Sequence, residues 1–156
     1  MELEEALKTE GSSIKEDRAQ LLMSQILADN FKTWSFVGFY DKRPTDPNTI
    51  YIGQFVSESV FPCGEISLGK GQCGLCASTL ETQIVQDVRE CENYIACDTD
   101  TMSEIVLPCF GHSGELRTVF DIDSPIVGDF DDVDKFNLLK FIKLVYNHEK
   151  SIYIIE

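Results

Sequence analysis

Six cysteines and several closely spaced carboxylates are the side chains in this sequence that could carry out chemistry. Cys97 is the most informative of them, because it directly precedes Asp98 and is followed seven residues later by Glu104. A neighbouring carboxylate disfavours the thiolate, so positive charge alone cannot activate this cysteine. If Cys97 has more than a packing role, something other than positive charge must explain this arrangement.

The remaining cysteines allow several interpretations. Cys73 and Cys76 form a CxxC pair, but no second such pair follows at zinc-finger spacing, and the only histidines are His112 and His148. The sequence therefore predicts no metal. A thioredoxin-type dithiol remains an alternative, although the βαβ unit that it requires is not evident. We interpret three cysteines as small buried residues, namely Cys76, Cys91 and Cys109.

The stretch "LRTVFDIDS" is predicted to be a strand that presents two carboxylates on one face. Alternation along a strand points Leu116, Phe120 and Ile122 to one side, and it points Val119, Asp121 and Asp123 to the other side. The simplest interpretation is that this face of the strand is exposed to solvent. A Mg²⁺ or Ca²⁺ site is a third interpretation, but no dense run of oxygen ligands accompanies the pair. The other of the three interpretations is recognition of a cationic group such as an ammonium.

Composition narrows the classes of partner. The chain has 156 residues, fits one domain spanning residues 1–156, and carries a net charge of -14, which disfavours nucleic acids and anionic lipid surfaces. No apolar run is long enough to span a bilayer, and residues 1–30 are acidic, so neither a membrane anchor nor a signal peptide is predicted. We therefore expect a cytoplasmic protein with mostly reduced cysteines.

The predicted elements form an α+β pattern with helices near both ends of the chain. A helix is expected to run to about Asn30, and a second one follows an N-cap at residues 130–132, with one apolar face made of Val133, Phe136, Leu139, Ile142 and Tyr146. Strands are predicted at "TWSFVGFYDK", "TIYIGQFV", "TQIV", "EIVLPCF" and "ELRTVFDID". A long loop is expected at residues 57–72, and a short helix at residues 73–81. This order predicts one mostly antiparallel sheet.

Four segments, taken in order, resemble the motifs of a known enzyme family. They are "GKGQCG", "TQIVQDV", "YIACDTDTMSEIVLP" and "VFDIDS". Together they are similar to the free methionine-(R)-sulfoxide reductases, which are single GAF-domain enzymes, over roughly residues 37–141. The resemblance implies a six-stranded antiparallel sheet with helices on one side and the ligand pocket on the other. It also implies three functional cysteines, which match Cys63, Cys73 and Cys97.

The same resemblance implies a division of roles among the site residues. Cys97 would attack the sulfoxide sulfur, and Glu104, held protonated by burial, would donate a proton to the departing oxygen. Cys63 is the first choice for the thiol that then forms a disulfide, and Cys73 is the alternative. Thioredoxin would act as external reductant, with no bound cofactor. Asp121 and Asp123 would bind the substrate ammonium, and backbone N–H groups near residues 95–98 its carboxylate.

This sequence departs from the family pattern at a few positions. Phe36 stands where tryptophan is usual, and Trp34, which has the same strand parity, is expected to substitute for it in the aromatic wall. Asn93 and Tyr94 replace a glycine-histidine pair, and Thr118 replaces a glycine. The sequence also allows two other kinds of protein, namely a GAF module that only binds a small molecule and a general thiol-redox protein. A homodimer also remains open.

Overall fold

The computed structural model describes residues 12–58, 61–94 and 100–146. The helices are α1 (Ser12–Asn30), α2 (Gly71–Thr79) and α3 (Asp132–Ile142), with a short 3-10 helix at Val88–Glu90. The strands are β1 (Phe36–Arg43), β2 (Asp46–Ser57), β3 (Glu65–Ser67), β4 (Gln83–Val85), β5 (Ser103–Phe110) and β6 (Leu116–Ser124). No helix within these ranges is long and apolar enough to cross a membrane.

All six strands form one antiparallel sheet in the order β3-β2-β1-β6-β5-β4. The predicted α+β architecture is therefore confirmed. The expected long loop after β2 contains a strand of three residues, β3, which pairs with β2 through Ile50 and Ile66. Every residue of β5 is buried, because the strand is paired on both sides, with β4 and β6, and helices cover both of its faces.

One face of the sheet packs against α1 and α3 in an apolar cluster. Its centre is the stacked pair Phe39 and Phe120, whose ring centroids are 4.3 Å apart. Asp131 begins α3 as a capping box, since its side chain accepts hydrogen bonds from the backbone N–H groups of Val133 and Asp134. The predicted apolar face of α3 is partly wrong. Val133 and Phe136 are 65% and 44% exposed, and Leu138 is buried instead.

The opposite face packs against α2 in a second cluster. Because side chains alternate along a strand, Tyr40, Val106 and Val119 point here while their chain neighbours point to the apolar cluster. Leu116 also packs on this side, so its predicted orientation is wrong. A register irregularity between Cys109 and Phe110, the partner of Leu116, lies at that end of the β5–β6 pair.

The close approach of α2 to β3 depends on a glycine. A Cβ atom added at Gly74 would lie 2.4 Å from the Ser67 carbonyl oxygen, so only glycine allows the helix to sit this low. At its other end α2 stops at Leu80, whose φ of 63° is the left-handed conformation typical of helix C-termini. The helix thereby holds Cys73 and Cys76 against the second face of the sheet.

Candidate active site

Three carboxyl side chains lie next to one another on the face below α2. Antiparallel pairing of β5 with β6 sets Glu104 opposite Asp123 and sets Val106 opposite Asp121. Residues two apart on β6 point to the same side, so Asp121, Asp123 and Glu104 share one face. The strand register thus brings these three predicted site residues together. In the pairing of β6 with β1, Asp123 also lies opposite Phe36.

Helix α2 adds a thiol to this group. The Cys73 sulfur, a Glu104 oxygen and an Asp121 oxygen all lie within 4.8 Å of one another. These three residues are only 4%, 7% and 4% exposed, respectively. Such a set of donors is close enough to hold a metal ion, and it joins three segments that are far apart in the sequence. Asp123 is half-buried at the edge of the same group.

Burial makes these groups reluctant to ionise. Desolvation raises the pKa of Glu104 well above its usual range, and the negative charge of Asp121 raises it further. Desolvation and the charge of Asp123 likewise raise the pKa of Asp121. The pKa of the Cys73 thiol is raised by burial and then by Asp121 and Glu104. Burial therefore favours the protonated form of Glu104, the form that a carboxylic acid needs in order to donate to a leaving oxygen.

One oxygen of the acidic site lacks a hydrogen-bond partner within the part of the chain that the structure describes. The Oδ1 atom of Asp121 is buried and has no hydrogen-bond partner among the described residues. Leaving a buried acceptor unsatisfied costs about 1–3 kcal/mol, so such an atom is expected where a ligand completes the site. An ammonium group, which has three donors and a positive charge, matches the unsatisfied oxygen and the surrounding acidity.

An aromatic wall borders the carboxyls. Phe36 is 5% exposed and stacks on Phe55 with ring centroids 5.7 Å apart, while Tyr40 lies 6.5 Å from the Phe36 ring. Gly38, which pairs with Asp121, permits this packing, since a Cβ there would lie 2.4 Å from the Phe55 Cβ. Sequence reasoning missed Tyr40 and Phe55. Tyr40 could have been found, because it shares the parity of Phe36 on one strand.

The prediction that Trp34 lies beside Phe36 on this wall is wrong. Trp34 belongs to the apolar cluster on the opposite face, where it stacks on Phe31 with centroids 4.1 Å apart. The strand begins only at Phe36, and the Trp34 backbone N–H donates to the Phe31 carbonyl in a turn. Alternation therefore does not extend back to residue 34, and Phe36 alone of the two faces the carboxyls.

Asn93, Tyr94 and Thr118, the other departures from the family pattern, lie at different places relative to the site. The Asn93 side chain donates to the Gly69 carbonyl at 3.1 Å, which ties its segment to the turn before α2. The pKa of the next residue, Tyr94, is raised by partial burial and then by the charges of Glu104, Asp123 and Asp121. Thr118 instead donates its hydroxyl hydrogen to the Tyr40 carbonyl at 2.8 Å and lies outside the site.

The structure separates the cysteines into three groups. Cys63 is disulfide-bonded. Four cysteines are free thiols, namely Cys73, Cys76, Cys91 and Cys109. Cys97, the predicted nucleophile, lies outside the described residues. Burial raises the pKa of both thiols of the CxxC pair, which makes them poor thiolate nucleophiles and disfavours the general dithiol interpretation.

No protein-family model matches the sequence. Individual proteins of known function are nevertheless similar to it in sequence. A free methionine-R-sulfoxide reductase from Saccharomyces cerevisiae is 43% identical over 111 residues, which is 71% of this chain and 61% of that protein. A free methionine-R-sulfoxide reductase from Escherichia coli is 31% identical over 119 residues, or 76% of this chain and 68% of that protein. This chain belongs to the free methionine-R-sulfoxide reductase family.

Solved structures of this reductase family agree with the assignment. The reduced form of fRMsr from Staphylococcus aureus has a TM-score of 0.80 at 34% identity, covering 94% of this chain and 89% of that one. The same S. aureus protein in complex with substrate has a TM-score of 0.79 at 33% identity, covering 94% and 90%. The fold is therefore a GAF fold of the reductase type, as predicted.

Proposed function

We propose that this chain reduces free L-methionine-(R)-sulfoxide to methionine. The observation that carries the proposal is the convergence of Glu104, Asp121 and Asp123 on one buried face with an unsatisfied Asp121 oxygen. The chain spans 61% of the length of its yeast relative, so family membership by itself does not establish the activity of the whole protein. The substrate complex of the S. aureus relative supports the proposed ligand class.

Recognition of a free amino acid follows from the charges. A methionine sulfoxide residue within a polypeptide has neither an α-ammonium nor an α-carboxylate of its own, whereas the free compound has both. Asp121 and Asp123 accept hydrogen bonds from the ammonium, and that contact excludes peptide-bound methionine sulfoxide, because an amide nitrogen carries no charge to pair with them. The aromatic wall of Phe36 and Tyr40 packs against the apolar part of the substrate.

Reduction combines an acid with a thiol. Glu104 is protonated because burial raises its pKa, and it donates its proton to the sulfoxide oxygen. The Cys97 sulfur bonds to the sulfoxide sulfur, and its thiol proton replaces the one that Glu104 has donated. The hydroxyl group then passes to the cysteine sulfur as the substrate S–O bond and the new S–S bond break, which leaves a sulfenic acid on Cys97 and releases methionine. The substrate sulfur gains two electrons and the cysteine sulfur loses two. No bound cofactor takes part in this step.

A second thiol and an external reductant complete the cycle. Cys63 condenses with the sulfenic acid of Cys97 to form a disulfide and water, and the disulfide-bonded state of Cys63 supports this role. Cys73 is the alternative, but it is a free and buried thiol. A thioredoxin dithiol then reduces the disulfide by exchange. Free thiols at four described cysteines suit a reducing compartment, which supports the cytoplasm.

One assay tests the activity, its stereochemistry and its substrate class. We would follow NADPH consumption coupled through thioredoxin reductase and thioredoxin, with each sulfoxide epimer of free methionine and with a methionine sulfoxide peptide. We expect turnover with the free R epimer alone. Equal rates with the peptide would contradict recognition of the free amino acid, and absence of turnover with both epimers would contradict the proposed reaction.

The role of Cys63 is tested separately from the chemistry. Cys63→Ser should reduce one equivalent of free methionine sulfoxide per chain and then stop, because thioredoxin needs a disulfide to attack. Mass spectrometry of the oxidised parent protein should find Cys63 bonded to Cys97. Bonding of Cys73 to Cys97, with Cys63 free, would transfer the resolving role to Cys73.

A further inference from the structure

Three side chains of the site carry the donor atoms of a metal centre. The Cys73 sulfur and oxygens of Glu104 and Asp121 lie within 4.8 Å of one another, and each residue is more than nine-tenths buried. The ligand atoms of a tetrahedral ion with bonds of about 2.0–2.3 Å lie about 3.3–3.8 Å apart, so small movements of the three side chains would close them around the ion. The three residues come from α2, β5 and β6, so the spacing rules that argued against a metal in the sequence do not apply to them.

A second observation points to a ligand at the same place. The Oδ1 atom of Asp121 is buried without a hydrogen-bond partner among the described residues, and the hydrogen bonds of this carboxyl group are to Glu104, Asp123 and Cys73. A buried oxygen acceptor without a partner, set beside a second carboxyl group and a thiol, favours a cation as the missing partner.

We propose that Cys73, Glu104 and Asp121 form a binding site for a divalent cation of the Zn²⁺ type. Thiolate and carboxylate ligands in one set suit Zn²⁺, whereas Mg²⁺ and Ca²⁺ favour sites made wholly of oxygen. Three protein ligands leave a fourth tetrahedral position open for water. Metal binding itself does not depend on the proposed reaction, but the ion occupies two groups that the reaction uses, the carboxyls of Asp121 and Glu104.

Occupancy of this site has a regulatory consequence. A bound ion takes Asp121 from the ammonium and Glu104 from its role as acid, because a coordinated carboxylate has no proton to donate. Zn²⁺ therefore inhibits reduction reversibly and competes with free methionine sulfoxide. Removal of the ion by a chelator restores activity, since no covalent bond to the cysteine has formed.

Cobalt substitution gives a readout that does not depend on activity. The full chain, reduced and stripped of metal, would be titrated with Co²⁺, and the intense absorption of a thiolate-to-cobalt bond would be recorded together with the stoichiometry. We expect one tightly bound ion per chain with tetrahedral absorption bands. Zn²⁺ should displace the cobalt, and free methionine should weaken its binding if the ammonium uses the same carboxylate.

Matched variants identify the ligands. Cys73→Ser should abolish the thiolate band, and Asp121→Asn should weaken binding at least tenfold while keeping the thiol. Cys109→Ala, on the opposite face, and Cys91→Ala, at a half-exposed free thiol, should bind as the parent does. Circular dichroism checks that each variant is folded.

The outcomes separate this inference from the proposed reaction. Unchanged cobalt binding in both Cys73→Ser and Asp121→Asn, or loss of the band in Cys91→Ala alone, would overturn the site whatever the enzyme activity is. One-to-one binding that needs Cys73 and Asp121 would support it even if the protein failed to reduce methionine sulfoxide.

Discussion

The two faces of the sheet are built from the same strands, yet they bury opposite kinds of side chain. Phe120 and Ile122 of β6 pack into the apolar cluster below α1 and α3, while Asp121, between them in sequence, points to the acidic site below α2. On β5, Ile105 and Glu104 divide in the same way. One face therefore gains stability from apolar burial, and the other holds charges in a place that disfavours them.

This difference indicates that the acidic face costs the protein stability, which suits the proposed function. Like charges gathered in a buried site raise one another's pKa values and destabilise the ionised form. The apolar face has to supply the free energy that offsets this cost, and its stacked aromatic rings and buried aliphatic residues do so. Variants that act on one face and not the other test this interpretation.

The largest expected effect is loss of the attacking thiol. Cys97→Ser should abolish turnover, because a hydroxyl cannot form the sulfenic acid on which reduction depends. Cys109→Ala, which removes a buried thiol from the apolar face, should keep most activity and lose some stability instead. The coupled assay and a urea unfolding curve for each variant measure both effects. Comparable turnover in Cys97→Ser would show that another cysteine attacks.

Glu104→Gln is the next most severe change. It should lower kcat about 100-fold or more with little effect on KM, because an amide cannot deliver a proton to the departing oxygen. In the parent protein the protonated form of Glu104 is the active one, so kcat should fall as pH rises through its raised pKa. The variant should lack that pH dependence. Glu115→Gln, at an exposed position before β6, is the control and should keep the parent kcat. A kcat equal to the parent value in Glu104→Gln would refute the acid role.

Asp123→Asn should have a smaller effect that appears mainly in KM. Loss of a charge-assisted hydrogen bond to the ammonium costs about 1.5–3 kcal/mol, which corresponds to a rise in KM of roughly 10- to 100-fold. Steady-state kinetics with free methionine-(R)-sulfoxide measure it. Asp132→Asn, on the exposed first turn of α3, removes the same charge far from the site and should leave KM unchanged. An unaltered KM in Asp123→Asn would remove this residue from ammonium binding.

The smallest expected effect is a gain of stability. Burial and neighbouring charge raise the pKa of Asp121, so the folded protein loses stability as pH rises above the unfolded pKa. Asp121→Asn removes that cost and should increase the free energy of unfolding by about 1 kcal/mol at about pH 8, with a smaller gain at about pH 5.5. Phe120→Leu, the adjacent residue on the apolar face, should destabilise equally at both pH values. Destabilisation by Asp121→Asn that is the same at both would contradict the electrostatic account.

Alternation within strands made part of this site predictable from the sequence. Asp121 and Asp123 share a face in any strand that contains both, and their common orientation was predicted correctly. Their position opposite Glu104 depends on the register of β5 against β6, which the sequence of either strand alone does not determine. The approach of Cys73 to Glu104 and Asp121 depends further on the docking of α2, which requires the fold.

The errors arose where a local pattern was extended beyond its element. Trp34 was assigned by strand parity, but the backbone turns before Phe36, so that parity has no meaning at residue 34. Val133 and Phe136 follow helical spacing in α3, yet they remain exposed because the helix buries a narrower stripe centred on Leu139 and Ile142. Strand β3 has only three residues, too few for a periodic signal.

The central claim is that the carboxyls of the acidic face recognise the ammonium of a free amino acid. The most direct measurement compares kcat/KM for free methionine-(R)-sulfoxide and for its N-acetyl derivative, which keeps the sulfoxide and lacks the ammonium. One charge-assisted hydrogen bond to the ammonium contributes about 1.5–3 kcal/mol, which corresponds to roughly a 10- to 100-fold change. We predict that acetylation lowers kcat/KM by at least this factor. We also predict a much smaller ratio in Asp123→Asn, which has already lost part of that contact. Equal kcat/KM for the two compounds in the parent protein would contradict the claim.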